Sequence, residues 1–234
     1  RDSSCDSVDL SILIPVFNEV DNLLPLYKSL TRVLDSLNES SEILMVDDGS
    51  TDGSVEILRE LETSDKRVRV IEFVRNFGQT AAMAAGFEKA LGKVLIPLDS
   101  DLQNDPEEIP RILRELRKGY DVVSCWRKPR RDSFLRTILS RVANWIISQA
   151  TGLKLHDYGC TLKAMRREVA ESLRLYGEMH RFIPAIASWY GINIVEIKVD
   201  HRARTSGTSK YGLSRTYRVI LDLLTVKFML APSR

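Results

Sequence analysis

Short apolar, β-branched runs recur along the first half of the chain, at Leu10 to Val16, Ile43 to Val46, Val68 to Phe73, Val94 to Leu98 and Asp121 to Ser124. A stretch with helical spacing separates each run from the next. Strands that alternate with helices predict an α/β fold with a mainly parallel central sheet, flanked by helices and wound by right-handed crossovers. Helix starts are marked in places. Asp105, Pro106 and Glu108 supply a cap, a proline at the first helical position and an acid at the third, opening a helix that should run to about Lys118. Asp52 precedes a helix ending near Leu61, and Thr80 precedes one over Ala81 to Leu91. Further on, Leu135, Ile138, Leu139, Val142 and Ile146 make one helical face within Phe134 to Ala150, with Arg136 and Arg141 on other faces. Leu213, Tyr217, Ile220, Leu221, Leu224 and Phe228 predict a C-terminal amphipathic helix.

The polar residues say where such a sheet would do chemistry. In an open α/β sheet, ligands gather beyond the carboxyl ends of the strands. Asn18 and Glu19 follow the first run, Asp47 and Asp48 the second, Arg75 to Gly78 the third, and Asp99 to Gln103 the fourth. Solvated loops have no reason to place acids after several strands in succession. In an extended segment, Asp99 and Asp101 would project together while Ser100 faces away. Two carboxylates on one side are half of a hard-cation site for Mg²⁺ or Mn²⁺, with coordination positions left for water and a substrate diphosphate. Asp48-Gly49-Ser50 also suits a tight turn and helix cap, so its acids can share structural and binding roles.

Composition narrows the classes. A net charge of +2 over 234 residues argues against a protein that coats nucleic acid. The charge is uneven: from His201 to Arg234 there are seven Lys or Arg against Asp222 alone, an end suited to anions or an acidic membrane face. Cys5, Cys125 and Cys160 form no C-x-x-C pair, which fits a reducing, cytoplasmic setting. The longest apolar stretch, Val219 to Ala231, is interrupted by Asp222 and Lys227 and is shorter than the roughly 20 residues a membrane span needs. Arg1 in place of an initiator Met, with no signal segment, reads as a trimmed N-terminus. No G-x-G-x-x-G follows the first strand, which argues against a dinucleotide dehydrogenase.

Four ordered motifs then identify a resemblance: Ile14 to Glu19, Val46 to Asp52, Arg75 to Gln79 and Leu98 to Gln103 resemble the family 2 glycosyltransferases. Within that family, Asp101-Leu102-Gln103 followed by Pro106-Glu107-Glu108, then Asp157-Tyr158-Gly159-Cys160 and Gly207-Thr208-Ser209-Lys210, look most like the polyprenyl-phosphate glycosyltransferases, and the Tyr158-Gly159-Cys160 and Ser209-Lys210-Tyr211 segments sit nearest their aminoarabinose-type branch. The resemblance implies a GT-A fold, with a catalytic domain over 8–200 and a basic loop and membrane-proximal helix over 201–234. It implies that Pro15, Asn18, Glu19, Asp47 or Asp48, Arg75 and Gly78 line the nucleotide. Asp99, Asp101 and Gln103 would sit at the metal and diphosphate. Relatives usually continue into transmembrane helices, so the chain is expected to be the catalytic part of a longer protein at the cytoplasmic membrane face, serving cell-envelope glycan synthesis.

The implied reaction is inverting transfer from a UDP- or GDP-linked sugar to undecaprenyl or dolichyl phosphate. Asp101 and Asp157 with Arg127 and Arg141 would carry the chemistry. Arg127 and Arg141, helped by Arg130 or Arg131, suit the acceptor phosphate, because guanidinium forks match phosphate oxygens. Arg204 and Lys210 could close over the donor. Several relatives carry an aspartate near Cys160, whereas here the nearby acid is Asp157. Two other readings stand beside this one: a family 2 enzyme acting on a glycan or other hydroxyl acceptor, and a membrane scaffold that binds nucleotide sugars without turnover. No nucleic-acid partner is expected, and assembly with copies of itself is left open.

Overall fold

The computed structural model describes residues 8–127, 148, 152–172, 183–189 and 191–200. Seven strands form one sheet in the order β3-β2-β1-β4-β6-β5-β7. They are β1 (Leu10–Val16), β2 (Ser41–Asp47), β3 (Val68–Glu72), β4 (Val94–Pro97), β5 (Val122–Arg127), β6 (Lys163–Arg166) and β7 (Ile194–Val199). The first four are mutually parallel, so their carboxyl ends share one edge. β6 enters antiparallel between β4 and β5, and β7 lies parallel to β5. The sheet is therefore mainly parallel, with one reversed strand that the apolar runs did not reveal.

Helices cover both faces, which is why the parallel strands are apolar at consecutive positions. They are α1 (Val20–Asp35), α2 (Ser54–Ser64), α3 (Gln79–Lys89), α4 (Ile109–Leu116), α5 (Arg167–Ser172) and α6 (Ile183–Trp189). On one face Ile12, Ile14, Ile43 and Met45 pack against Leu23, Leu26 and Leu30 of α1, Leu58 of α2 and Ile112 of α4. On the other, Leu13, Leu44 and Leu95 meet Met83 and Phe87 of α3, Val169 of α5 and Ile183 of α6. Successive residues of β1 thus feed two separate cores, the period-2 geometry of a strand expressed in packing.

The predicted helix starts shift by small steps. Asp105 accepts from Glu107 N at 3.1 Å and opens a 3₁₀ turn, Pro106–Glu108, that leads into α4. α3 begins earlier than Thr80, at Gln79, because Gly78 turns the chain with φ +97° just before it. At α2 the capping position is Gly53, in the left-handed region, while Asp52 still accepts from Ser54 N at 3.0 Å. The helix expected within Phe134 to Ala150 and the C-terminal amphipathic helix lie outside the described residues, as does the segment Val219 to Ala231. Among the described residues no helix is long and apolar enough to cross a membrane.

Candidate active site

The loops after β1 and β2 are laced together by backbone donors. Asn18 N donates to Ser50 Oγ (2.9 Å), Thr51 N to Asn18 Oδ1 (2.8 Å), Glu19 N to Ser54 Oγ (3.1 Å) and Val20 N to Asp52 Oδ2 (3.1 Å). Asn18 takes φ +53° to reach this arrangement, a conformation that asparagine tolerates better than most residues. Glu19 accepts from Asn22 Nδ2 at 2.6 Å. Pro15 belongs to β1, and its carbonyl accepts from Ser100 Oγ at 3.1 Å, which joins this loop pair to the segment after β4.

Asp47 and Asp48 separate into two roles. Asp48 accepts from Asn76 Nδ2 (2.9 Å), Phe77 N (2.7 Å) and Gly78 N (2.9 Å), so both of its oxygens hold the loop after β3. Burial pushes its pKa up, opposed by those backbone donors. Asp47 receives Gly49 N and Ser50 N on Oδ2, while Oδ1 is buried without a partner among the described residues. Such an orphan acceptor is costly unless something fills it. Gly49, at φ +74°, lets the turn close on the β3 loop: a Cβ there would lie 2.5 Å from the Arg75 carbonyl carbon. Arg75 is exposed, with its guanidinium 4.8 Å from the centre of the Phe77 ring.

Beyond β4 the expected extended segment is a turn. The strand ends at Pro97, Ser100 and Asp101 lie in the turn, and Leu102 adopts φ +62°. Ser100 is buried and bonded to Pro15, held there by the turn and not by strand alternation. Asp101 Oδ1 accepts from Gln103 N at 3.1 Å. Asp99 accepts from Gln79 Nε2 at 2.8 Å. Burial raises the Asp99 pKa, the nearby Asp101 carboxylate raises it further, and Thr161, Arg127 and Lys163 oppose the shift. Two oxygen donors close enough to repel one another fit a hard divalent cation. Among the described residues no third His, Cys, Asp or Glu completes a cage, which leaves room for ligand oxygens.

The far side of this edge is built by β5, β6 and β7. Arg127, last in β5, donates Nε to Asp157 Oδ2 (2.7 Å) and Nη2 to Asp157 Oδ1 (3.1 Å), a two-pronged pair in which Asp157 is 1% exposed. Gly159 N also donates to Asp157 Oδ1 at 3.0 Å. Behind the pair, Glu196 of β7 accepts from His156 N (2.9 Å) and Asp157 N (3.0 Å) and lies 2.7 Å from His156 Nδ1. The His156 ring stacks on Trp126, with centroids 4.0 Å apart. Cys125 and Cys160 are buried free thiols, and burial pushes Cys160 up to about 12.

Thus Pro15 and Asp47 at the ends of β1 and β2, with Asn18, Glu19, Asp48, Arg75, Gly78, Asp99, Asp101 and Gln103 in the segments after β1 to β4, share one edge, and Arg127 at the end of β5 pairs with Asp157 from the loop before β6. Arg130, Arg131, Arg141, Arg204 and Lys210 lie outside the described residues. Gln79, Thr161, Lys163 and Glu196 were not singled out for roles by the sequence. Gln79 stood within a recognised motif, but nothing local signalled the other three.

Comparison with known proteins decides the family. The family described as Glycosyl transferase family 2 matches residues 11–174, more than half of the chain. The chain belongs to glycosyltransferase family 2. It is 46% identical over 229 residues to the dodecaprenyl-phosphate galacturonate synthase of Rhizobium johnstonii, covering 96% of this chain and 68% of that protein. It is 41% identical to the undecaprenyl-phosphate 4-deoxy-4-formamido-L-arabinose transferase of Aeromonas hydrophila, covering 92% and 67%. A glucosyl-3-phosphoglycerate synthase from Mycobacterium tuberculosis, solved with Mn²⁺, UDP-glucose and phosphoglyceric acid, superposes with TM-score 0.72 at 19% identity, covering 95% of this chain and 81% of that one. This family 2 glycosyltransferase therefore has the GT-A fold that the motifs implied.

Proposed function

We propose that this glycosyltransferase moves a sugar from a nucleotide diphosphate to a polyprenyl phosphate, with inversion and with help from a divalent metal, at the cytoplasmic face of the membrane. The observation that carries this reading is the arrangement around Asp99: a second carboxylate, Asp101, beside it, and the Arg127 guanidinium within electrostatic reach. Acceptors for a metal and donors for phosphate oxygens meet at one edge of the sheet. The named relatives supply the lipid phosphate as the acceptor class.

The nucleotide half follows from the orphan oxygen. Asp48 is committed to the β3 loop, so Asp47, with Oδ1 unfilled, takes a base or ribose donor, with Pro15, Asn18, Glu19, Arg75 and Gly78 around it. Asp99 and Asp101, with Gln103 in the same turn, would hold Mg²⁺ or Mn²⁺, which when bound offsets the charge of the diphosphate leaving group. A phosphate monoester has a second pKa of about 6, so the acceptor is already largely dianionic at pH 7 and needs no general base. Positioning is the demand that remains. One acceptor oxygen bonds the anomeric carbon from the face opposite the diphosphate, and the carbon–oxygen bond to the diphosphate breaks with its electron pair leaving on that oxygen. Arg127 keeps Nη1 for the acceptor phosphate while Nε and Nη2 grip Asp157, whose task on this geometry is to aim the guanidinium. Arg130, Arg131 and Arg141 are proposed partners for the same phosphate, and Arg204 and Lys210 for the donor.

A transfer assay tests the proposal, with purified protein, a prenyl phosphate and radiolabelled UDP- and GDP-sugars, with and without Mn²⁺. Metal-dependent formation of lipid-linked sugar with inverted configuration is expected. Transfer to free sugars alone would favour a hydroxyl acceptor, and nucleotide binding without product under any donor would favour a scaffold.

A further inference from the structure

Strand β6 begins with a lysine in the interior. Lys163 is 1% exposed, and among the described residues its ammonium makes no hydrogen bond or ion pair. An ammonium withdrawn from water is costly unless paired, so buried lysines are rare and ordinarily have a partner. β6 runs antiparallel to β4, with Leu95 opposite Met165, so Lys163 stands toward the end of β4 from which Asp99 extends.

The register of the sheet fixes its neighbours. Lys163 is directly opposite Ser124 of β5, and Ser124 is directly opposite Glu196 of β7, so the three residues form one row on one face. Ser124 Oγ is also buried without a partner among the described residues. Glu196 is occupied by the backbone at His156 and Asp157 and by the His156 ring. Asp157 is gripped by Arg127, and Asp99 accepts from Gln79. The acids whose charge Lys163 feels, Asp157 and Asp99, thus have other partners, and burial pulls the lysine pKa down against them.

An unpartnered ammonium beside an unpartnered hydroxyl, at the loaded edge of the sheet, has the makings of a receptor for incoming negative charge. We infer that Lys163, flanked by Ser124, is a further binding residue of the transfer site and donates to a phosphate oxygen of a ligand. That oxygen belongs either to the diphosphate of the donor or to the monoester of the lipid acceptor. The inference rests on reading this edge as the site of sugar transfer.

Calorimetric titration of the full chain separates the sources, using UDP and GDP with Mn²⁺ as one probe set, citronellyl phosphate as another and Mn²⁺ alone as a control. K163M is expected to weaken one probe set about tenfold or more, the usual scale of a lost charged hydrogen bond, while Mn²⁺ alone binds as tightly as before or tighter. K163R should largely restore binding, because it keeps the cation. Loss confined to the nucleotides assigns the donor, and loss confined to citronellyl phosphate assigns the acceptor. Unchanged affinity for both sets, or parallel loss of Mn²⁺ and both sets with a lowered Tm, overturns the inference and leaves the proposed function standing. Wild-type protein that binds neither set overturns both. Should K163M fail to fold, the Lys163 ¹³Cε resonance of the wild-type protein, assigned by its absence from K163R, reads the same contact: it shifts on saturation with the probe, and an unmoved resonance overturns the inference.

Discussion

Around β1 to β4, the carboxylates of Asp47, Asp48 and Asp52 accept mainly from backbone N–H groups and neutral side chains, and the buried polar residues of that region include neither lysine nor arginine. Around β5 to β7, Asp157 meets the guanidinium of Arg127, and Lys163 places an ammonium in the interior. Among the described residues, the first region leaves Asp47 Oδ1 without a donor, and the second leaves Arg127 Nη1 and the Lys163 ammonium without an acceptor. A molecule with N–H groups at one end and phosphate oxygens at the other matches that polarity. The contrast also separates two ways of fixing a loop: by many modest neutral bonds, or by a few charged ones in which losing one partner strands the other.

Asp101→Ala tests the border between the regions and should have the largest effect. Transfer should fall by about 100-fold or more, the scale of losing one electrostatic contact to a developing charge, with Tm near that of wild type because Asp101 Oδ1 accepts from Gln103 N within a short turn outside the sheet. Undiminished turnover would remove Asp101 from the site. Asp157→Ala strands a largely buried guanidinium and should cost about 3 kcal/mol in denaturant unfolding. A loss no larger than that of an exposed ion pair would show that the two regions hold their loops alike. Gly49→Ala tests the neutral side: the added Cβ meets Arg75 backbone at 2.5 Å from a left-handed φ, and about 2 kcal/mol of destabilisation with weakened nucleotide binding is expected. Binding as in wild type would separate the Arg75 loop from the nucleotide.

The smallest effect is a control away from the site edge, where Asp65 ends α2 just before β3. Hydrogen bonds from Arg67 hold the Asp65 carboxyl at about 2, below its ordinary 3.8. Because the folded value is depressed, this contribution is fully present above about pH 4 and disappears as pH falls through about 2. Urea midpoints measured between about pH 5 and pH 2.5 should decline less steeply in Asp65→Asn than in wild type. Parallel slopes would show that the pair does not contribute.

How much of this was legible in the sequence follows the same division. β1 to β4 and their loops could be read because each apolar run ends in polar residues, and the turn geometry is written in nearby Asp, Gly and Ser. β6 is four residues long and lies next to strands far away in the chain, so no local pattern announces that it reverses the sheet between β4 and β5. Lys163 carries no local mark of burial, because only that register places it in the interior. Arg127 and Asp157 were both singled out, but their pairing joins residues in separate elements and only the fold shows it. Asp99 and Asp101 were found through strand alternation, although the strand stops at Pro97 and a turn brings them together.

The reversed strand also bears on how the chain comes together as it is made. Among the described residues, β5 pairs only with β6 and β7, both synthesised later, whereas β1 to β4 can pair as soon as Pro97 has left the ribosome. On this pairing the nascent protein can form β1 to β4 with an open β4 edge, and β5 waits until Lys163–Arg166 emerges to bridge them. During that interval the exposed edge is where chaperones, or errors of pairing, would act.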